Sequence, residues 1–139
     1  MMKVDDVKKI AVIGSGAMGH GIAQVCAVAG FNVVMKDVKR EFLDNGVAKI
    51  GESLQFLVDK GKMQAGEMRK IINERIKTSL DTAEAVRDAQ VVIEAVPEKM
   101  DLKKSVFKEI SELAAVDAIL ATNTSTMSIS EIGSVVKKP

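Results

Sequence analysis

A glycine-rich turn between an apolar strand and a helix constrains this chain more than any other feature. The apolar residues 10–13 are followed directly by Gly-Ser-Gly-Ala-Met-Gly. In such a Gly-x-Gly-x-x-Gly pattern, Gly14 allows the tight turn, Gly16 lets a pyrophosphate approach the backbone, and Gly19 lets the helix pack closely on the strand. The helix N-terminus offers free N–H groups to the phosphates. The pattern predicts a dinucleotide-binding βαβ unit, with a cofactor site formed by Gly14, Ser15, Gly16, Ala17, Met18 and Gly19.

An acidic residue ends the second apolar run. Asp37 lies about 20 residues after the glycine turn, where the dinucleotide fingerprint places a carboxylate. A carboxylate there accepts hydrogen bonds from the adenosine ribose hydroxyls and repels a 2′-phosphate, so Asp37 favours NAD over NADP. The nearby cations Lys36, Lys39 and Arg40 would soften that preference if they faced the ribose. The alternative is that Asp37 caps the following helix.

Composition argues against several other classes of function. The net charge of +1 gives no attraction to nucleic acid or to an anionic membrane. No apolar run approaches the ~20 residues of a membrane span, and the N-terminus lacks the apolar core of a signal peptide. One His and one Cys are too few for a transition-metal site. We therefore expect a cytoplasmic protein without nucleic acid, membrane or metal partners, and we expect Cys26, on an apolar helical stripe, to be a small core residue.

Strands alternate with helical patterns along the whole chain. This alternation predicts an α/β fold, a Rossmann-type doubly wound parallel sheet. The predicted strands span residues 8–13, 32–36, 76–80, 90–96 and 118–122. Between the second and third strands, residues 38–60 and 65–76 indicate a helical hairpin inserted into the fold, although Gly46 and Gly51 weaken its first helix. A later helix is predicted from four apolar positions, Leu102, Val106, Ile110 and Leu113, and a capping box at residues 128–131 predicts a final short helix.

Ligands of doubly wound sheets bind at the carboxyl ends of the strands, near the switch in strand order. That rule selects four loops, at residues 14–19, 37–39, 95–99 and 122–126. We expect these loops to meet at one site.

Three segments on or beside these loops resemble the L-3-hydroxyacyl-CoA dehydrogenases. They are Ile-Gly-Ser-Gly-Ala-Met-Gly-His-Gly-Ile-Ala at residues 13–23, Glu-Ala-Val-Pro-Glu at 94–98 and Ala-Thr-Asn-Thr-Ser at 121–125. A helical hairpin after the second strand is also typical of that family. The resemblance implies that residues 1–139 form one NAD-binding domain. It also implies an enzyme of fatty-acid or butanoate metabolism that interconverts (S)-3-hydroxyacyl-CoA and 3-oxoacyl-CoA by hydride transfer with NAD.

The resemblance also implies roles for residues outside the glycine turn. Glu98 matches a family glutamate at the cofactor site, and Lys103 matches a lysine near the nicotinamide side. Alternatively, these two residues form an exposed pair at a helix start. Ser125 matches a serine that contacts the nicotinamide end and the substrate oxygen, an auxiliary catalytic role, or else it caps the last helix. Ser53 and Lys60, on the hairpin, match positions that touch coenzyme A, or they are ordinary solvated residues.

In this family a histidine paired with a glutamate removes the hydroxyl proton. The resemblance places both beyond Pro139, together with the helical C-terminal domain that closes over the acyl group and supplies the dimer contact. We therefore expect these 139 residues to bind NAD but to turn over little or nothing. We also expect a homodimer or other self-association, because one sheet edge would be unpaired.

Two other functions remain open from the sequence. One is another hydroxyacid dehydrogenase on the same domain, such as a 3-hydroxyisobutyrate or 6-phosphogluconate type. The other is a stand-alone NAD-binding sensor or regulatory module without catalysis.

Overall fold

The computed structural model describes residues 3–122, in which five strands form one parallel sheet. The strands are β1 (Lys9–Ile13), β2 (Asn32–Lys36), β3 (Ile76–Ser79), β4 (Val91–Glu94) and β5 (Ile119–Thr122). They pair in the order β3-β2-β1-β4-β5, and every pairing is parallel. The strand order switches between β1 and β4, which is where such sheets bind ligands. The structure confirms the predicted doubly wound α/β class.

Helices connect consecutive strands of the sheet. They are α1 (Ala17–Val28), α2 (Arg40–Asp59), α3 (Ala65–Lys70), α4 (Thr82–Val86) and α5 (Met100–Leu113). A 3-10 turn (Val4–Asp6) precedes β1, and a π-helical turn (Ile71–Arg75) follows α3. The helices α2 and α3 form the predicted hairpin. None of the helices in residues 3–122 has both the length and the apolar character needed to cross a bilayer.

The first hairpin helix is continuous, although two glycines within it predict weakness. A Cβ added at Gly46 would lie 2.9 Å from the backbone oxygen of Ser15. The absence of a side chain therefore lets α2 pack directly against the glycine turn. This packing offsets the helix propensity lost at a glycine, about 1 kcal/mol.

Two apolar clusters cover the two faces of the sheet, because alternate residues of a strand point to opposite sides. Val12 and Met35 belong to the cluster under α1 and α2, against which Cys26 packs. Ala11 and Phe107 belong to the cluster under α4 and α5.

The helix predicted from four apolar positions is present as α5, but these positions do not coincide with its buried face. Its fully or nearly fully buried residues are Lys103, Phe107 and Ile110, whereas Leu102 and Leu113 are 38% and 40% exposed. The buried face includes a lysine that is paired with a buried glutamate. A periodicity based on apolar residues alone therefore misplaces the face by about one position.

Candidate functional site

A pocket of about 540 Å³ opens where β1, β2 and β4 end. It collects residues from three of the four loops that the sequence selects, and α2 adds a fourth wall. Its lining residues are Gly14, Ser15, Gly16, Ala17, Met18, Asp37, Phe42, Asn45, Ala95, Val96, Pro97 and Glu98. The fourth selected loop, including Ser125, lies outside the described residues except for Thr122, and so does the predicted helix at residues 128–131.

The three glycines of the turn differ in what requires them. Gly14 has a φ of +109°, and an added Cβ there would lie 2.6 Å from the Ala95 oxygen. A Cβ at Gly19 would collide with the Gly14 backbone oxygen. The fold therefore requires both glycines, in agreement with their predicted roles. A Cβ at Gly16, in contrast, would meet no atom of the described residues within 4 Å. It would occupy the space in which the fingerprint seats a pyrophosphate, so the turn fits a dinucleotide.

The N-terminus of α1 faces this turn. Gly16 is the N-cap and offers no side-chain cap, so the N–H groups of the first turn are available to an anion. His20 Nδ1 donates a hydrogen bond to the Gly16 carbonyl at 2.7 Å. This histidine does not line the pocket.

The carboxylate of Asp37 is oriented by the glycine turn itself. Its Oδ2 accepts hydrogen bonds from the Ser15 backbone N–H at 2.9 Å and from the Ser15 hydroxyl at 2.7 Å. Its Oδ1 accepts the Val38 N–H at 2.7 Å. The N-cap of α2 is Lys39, which has no side-chain cap. Asp37 therefore does not cap α2, and it lines the pocket, while its contact with the ribose stays a prediction.

The nearby cations are turned to other partners. Arg40 donates to the Thr78 hydroxyl at 2.8 Å, and the Lys39 ammonium lies 5.5 Å from the Phe42 ring centroid. Lys36, Lys39 and Arg40 are all missing from the pocket lining. Within residues 3–122, the pocket lining therefore supplies no cation for a 2′-phosphate beside Asp37.

On the opposite side of the pocket, Glu98 and Lys103 differ sharply in exposure. Glu98 lines the pocket with 46% of its side chain exposed, whereas Lys103 is fully buried. The alternative of an exposed pair is therefore wrong for Lys103. The Lys103 ammonium lies 3.3 Å from Glu98 Oε1, and the cofactor contact implied for Lys103 stays a prediction. Lys103 itself does not line the pocket, but it forms an ion pair with Glu98, which does.

The partner that holds Lys103 is not predicted from the sequence. Glu94, at the end of β4, is fully buried, and its two carboxylate oxygens lie 2.9 and 2.7 Å from Lys103 Nζ. The sequence feature that could have indicated this partner is the glutamate inside the apolar run 90–96. Two pocket residues of α2, Phe42 and Asn45, were also missed, because only the packing of Gly46 against Ser15 brings α2 to the pocket.

The two hairpin residues lie outside the pocket lining. Ser53 is exposed, and its hydroxyl accepts a hydrogen bond from Gln24 of α1 at 2.9 Å. Lys60 is also exposed, with its ammonium 5.5 Å from the ring centroid of Phe56. Ser53 belongs to α2, and Lys60 is the C-cap residue that follows this helix. Their contact with coenzyme A stays a prediction.

The fold and the pocket together define a Rossmann-type dinucleotide-binding domain. A family model described as "3-hydroxyacyl-CoA dehydrogenase, NAD binding domain" matches residues 9–139. The chain therefore belongs to the 3-hydroxyacyl-CoA dehydrogenase family, as its NAD-binding domain, and its cofactor is NAD.

Individual relatives agree with this assignment. The chain is 42% identical over 131 residues to the 3-hydroxybutyryl-CoA dehydrogenase of Clostridioides difficile, covering 94% of this chain and 46% of that protein. It is 41% identical over 134 residues to the fatty acid oxidation complex subunit alpha of Idiomarina loihiensis, covering 96% of this chain and 18% of that protein. The (S)-3-hydroxybutyryl-CoA dehydrogenase structure from Ralstonia eutropha matches with a TM-score of 0.89 and 36% identity, over 94% of this chain and 46% of that one. The chain thus spans less than half the length of each relative.

Proposed function

We propose that this chain forms the cofactor half of an enzyme that interconverts (S)-3-hydroxyacyl-CoA and 3-oxoacyl-CoA. One observation carries the proposal: a single pocket at the strand-order switch collects Gly16, Asp37 and Glu98. The relatives named as 3-hydroxybutyryl-CoA dehydrogenases and as a fatty acid oxidation subunit support this substrate class.

The residues of the pocket bind and orient the cofactor in this proposal. The N-terminus of α1 and the space beside Gly16 receive the pyrophosphate. Asp37 accepts the adenosine ribose hydroxyls at the β2 side, and Glu98 lies at the β4 side, where the nicotinamide half is held. NAD, when bound, supplies the hydride acceptor, so the task of these residues is orientation.

The remaining parts of the proposal concern groups outside the pocket. Ser53 and Lys60 contact coenzyme A from the hairpin, and Ser125 contacts the nicotinamide end and the substrate oxygen.

The enzyme works in the cytoplasm and self-associates as a homodimer or larger assembly. A monomer by light scattering at high protein concentration would contradict this last part.

The decisive experiment follows NADH absorbance in the presence of acetoacetyl-CoA. We expect the full-length protein to oxidise NADH, to discriminate against NADPH, and to leave 3-hydroxyisobutyrate and 6-phosphogluconate unreacted with NAD. The 139-residue chain should bind NADH and show little or no turnover. Binding of NADH by the full-length protein without turnover would favour a sensor, and turnover by the 139-residue chain would show that the proton acceptor lies within it.

A further inference from the structure

A fully buried ion pair lies beneath the β4 side of the pocket. The side chains of Glu94 and Lys103 are both 0% exposed, and the Lys103 ammonium lies 2.9 and 2.7 Å from the two carboxylate oxygens. Removing two charges from water costs several kcal/mol per ion, which their attraction offsets only in a fully hydrogen-bonded site. Apolar side chains of similar volume would pack there without that cost. Packing alone therefore does not explain the pair.

The hydrogen bonds around the pair connect four elements of the fold. Glu94 also accepts the Val96 N–H at 2.6 Å and the Thr122 hydroxyl at 2.5 Å. The Lys103 ammonium also lies 3.4 Å from the Val96 oxygen and 3.3 Å from Glu98 Oε1. The pair thus joins the end of β4, the pocket loop 95–98, α5 and the end of β5.

One ammonium therefore faces two carboxylates, and these have different surroundings. Glu94 is buried, whereas Glu98 is half-exposed and lines the pocket. Because Glu94 holds Lys103 in place, the ammonium presents a fixed positive charge beneath Glu98. A charge-assisted contact of this kind restricts the orientation of the exposed carboxylate.

We propose that Lys103 and Glu94 are positioning residues that hold the Glu98 carboxylate ready for the nicotinamide half of NAD. This inference rests on the proposed function, because it assumes that the pocket binds NAD. Lys103 acts through Glu98, as outer-shell groups orient the ligands of a metal. The pair lies on the β4 side, whereas Asp37 and the glycine turn hold the adenosine and the pyrophosphate on the other side. Its loss should therefore affect the two halves of the cofactor unequally.

The test compares NADH with ADP, which carries the adenosine and the diphosphate but lacks the nicotinamide half. Calorimetric titration of the full-length protein measures both dissociation constants. The main variant is Glu94→Gln/Lys103→Met, which removes both charges and so leaves no buried ion unpaired. The single variant Lys103→Met accompanies it. The matched control is Lys108→Met, which changes an exposed lysine on the same helix.

We expect the double variant to raise the NADH dissociation constant about tenfold, corresponding to ~1.4 kcal/mol, and to leave the ADP dissociation constant within about twofold. The control should change neither constant. In a Glu98→Ala background, the same double substitution should raise the NADH constant by less than about twofold, because interacting residues are not additive.

Equal weakening of NADH and ADP would overturn the inference, since it would indicate a general structural role. Unchanged NADH binding, or a full tenfold effect that persists in the Glu98→Ala background, would overturn it as well. If Lys103→Met does not fold, the inference is tested with the double variant alone. Failure of the unsubstituted protein to bind NADH would instead overturn the proposed function.

Discussion

Ser15 donates two hydrogen bonds to one oxygen of Asp37, through its backbone N–H at 2.9 Å and its hydroxyl at 2.7 Å. The residue between the first two glycines of the turn thus orients the Asp37 carboxylate, which we propose as the ribose acceptor. With the Val38 N–H on the other oxygen, three of about four lone-pair positions of the carboxylate are used. An acceptor that is already oriented loses little conformational entropy when the ribose binds.

Replacing Ser15 by alanine should therefore weaken both the fold and the cofactor site. The hydroxyl is nearly fully buried and bonded to a charged group, so we expect a loss of about 1.5–3 kcal/mol in the free energy of unfolding. We also expect weaker NADH binding. Urea denaturation and NADH titration of the full-length protein measure the two effects. Ser105→Ala, at an exposed serine of α5, is the control. Equal stabilities of the Ser15 and Ser105 variants would contradict the prediction.

Replacing Asp37 by serine should change which cofactor is preferred. The variant loses the charged acceptor for the ribose hydroxyls, so the NADH dissociation constant should rise about tenfold. The same change removes the charge that repels a 2′-phosphate, so NADPH should weaken much less or bind better. Titration with both cofactors measures the ratio of the two constants. If the dissociation constants of NADH and NADPH changed by the same factor, Asp37 would not discriminate between the two riboses.

The glycines of the turn allow a matched pair of variants that separate binding from folding. Gly16→Ala adds a Cβ into space free of described atoms, at an ordinary φ of −69°. We expect its free energy of unfolding to stay within about 0.5 kcal/mol and its NADH affinity to fall about tenfold or more. Gly19→Ala places a Cβ against the Gly14 oxygen, so it should lose about 1–3 kcal/mol of stability. Unimpaired NADH binding by Gly16→Ala would argue against a pyrophosphate at the turn.

These glycines also show which parts of the site a sequence can predict. Gly14 and Gly19 are required by backbone geometry at a fixed spacing, so a short motif reports them reliably. Asp37 follows from the same spacing because the length of a βαβ unit is nearly constant. The strand positions were predictable for a similar reason, since buried parallel strands form near-continuous apolar runs.

The Glu94–Lys103 pair was not predictable in this way. It depends on contact between a strand end and a helix, and local patterns contain no information about that contact. The lysine also lies on the buried face of α5, where apolar periodicity alone does not predict a charged residue. The same limit applies to Gly46. The sequence alone indicates that Gly46 weakens the helix. The packing of Gly46 against Ser15 in the folded protein explains why this position is a glycine.

The last prediction concerns Cys26, whose thiol is half-buried against the core. Burial raises the pKa of this thiol above its ordinary value of 9.0, because the thiolate is poorly solvated there. The thiolate is the reactive form, so Ellman's reagent should react severalfold more slowly with the native protein at pH 8 than with the urea-unfolded chain. Equal rates would show that Cys26 is accessible and ionises normally.

The same pKa shift has a consequence for stability at alkaline pH. The unfolded chain releases the thiol proton near pH 9.0, whereas the folded chain retains it to higher pH. The contribution to stability is therefore complete below pH 9.0 and is lost as the pH rises through the folded-state pKa. The chain has no tyrosine and no second cysteine to obscure this titration. Urea denaturation between pH 8 and 10 should show a smaller alkaline loss of stability for Cys26→Ala than for the unsubstituted protein, and parallel curves would contradict the assignment.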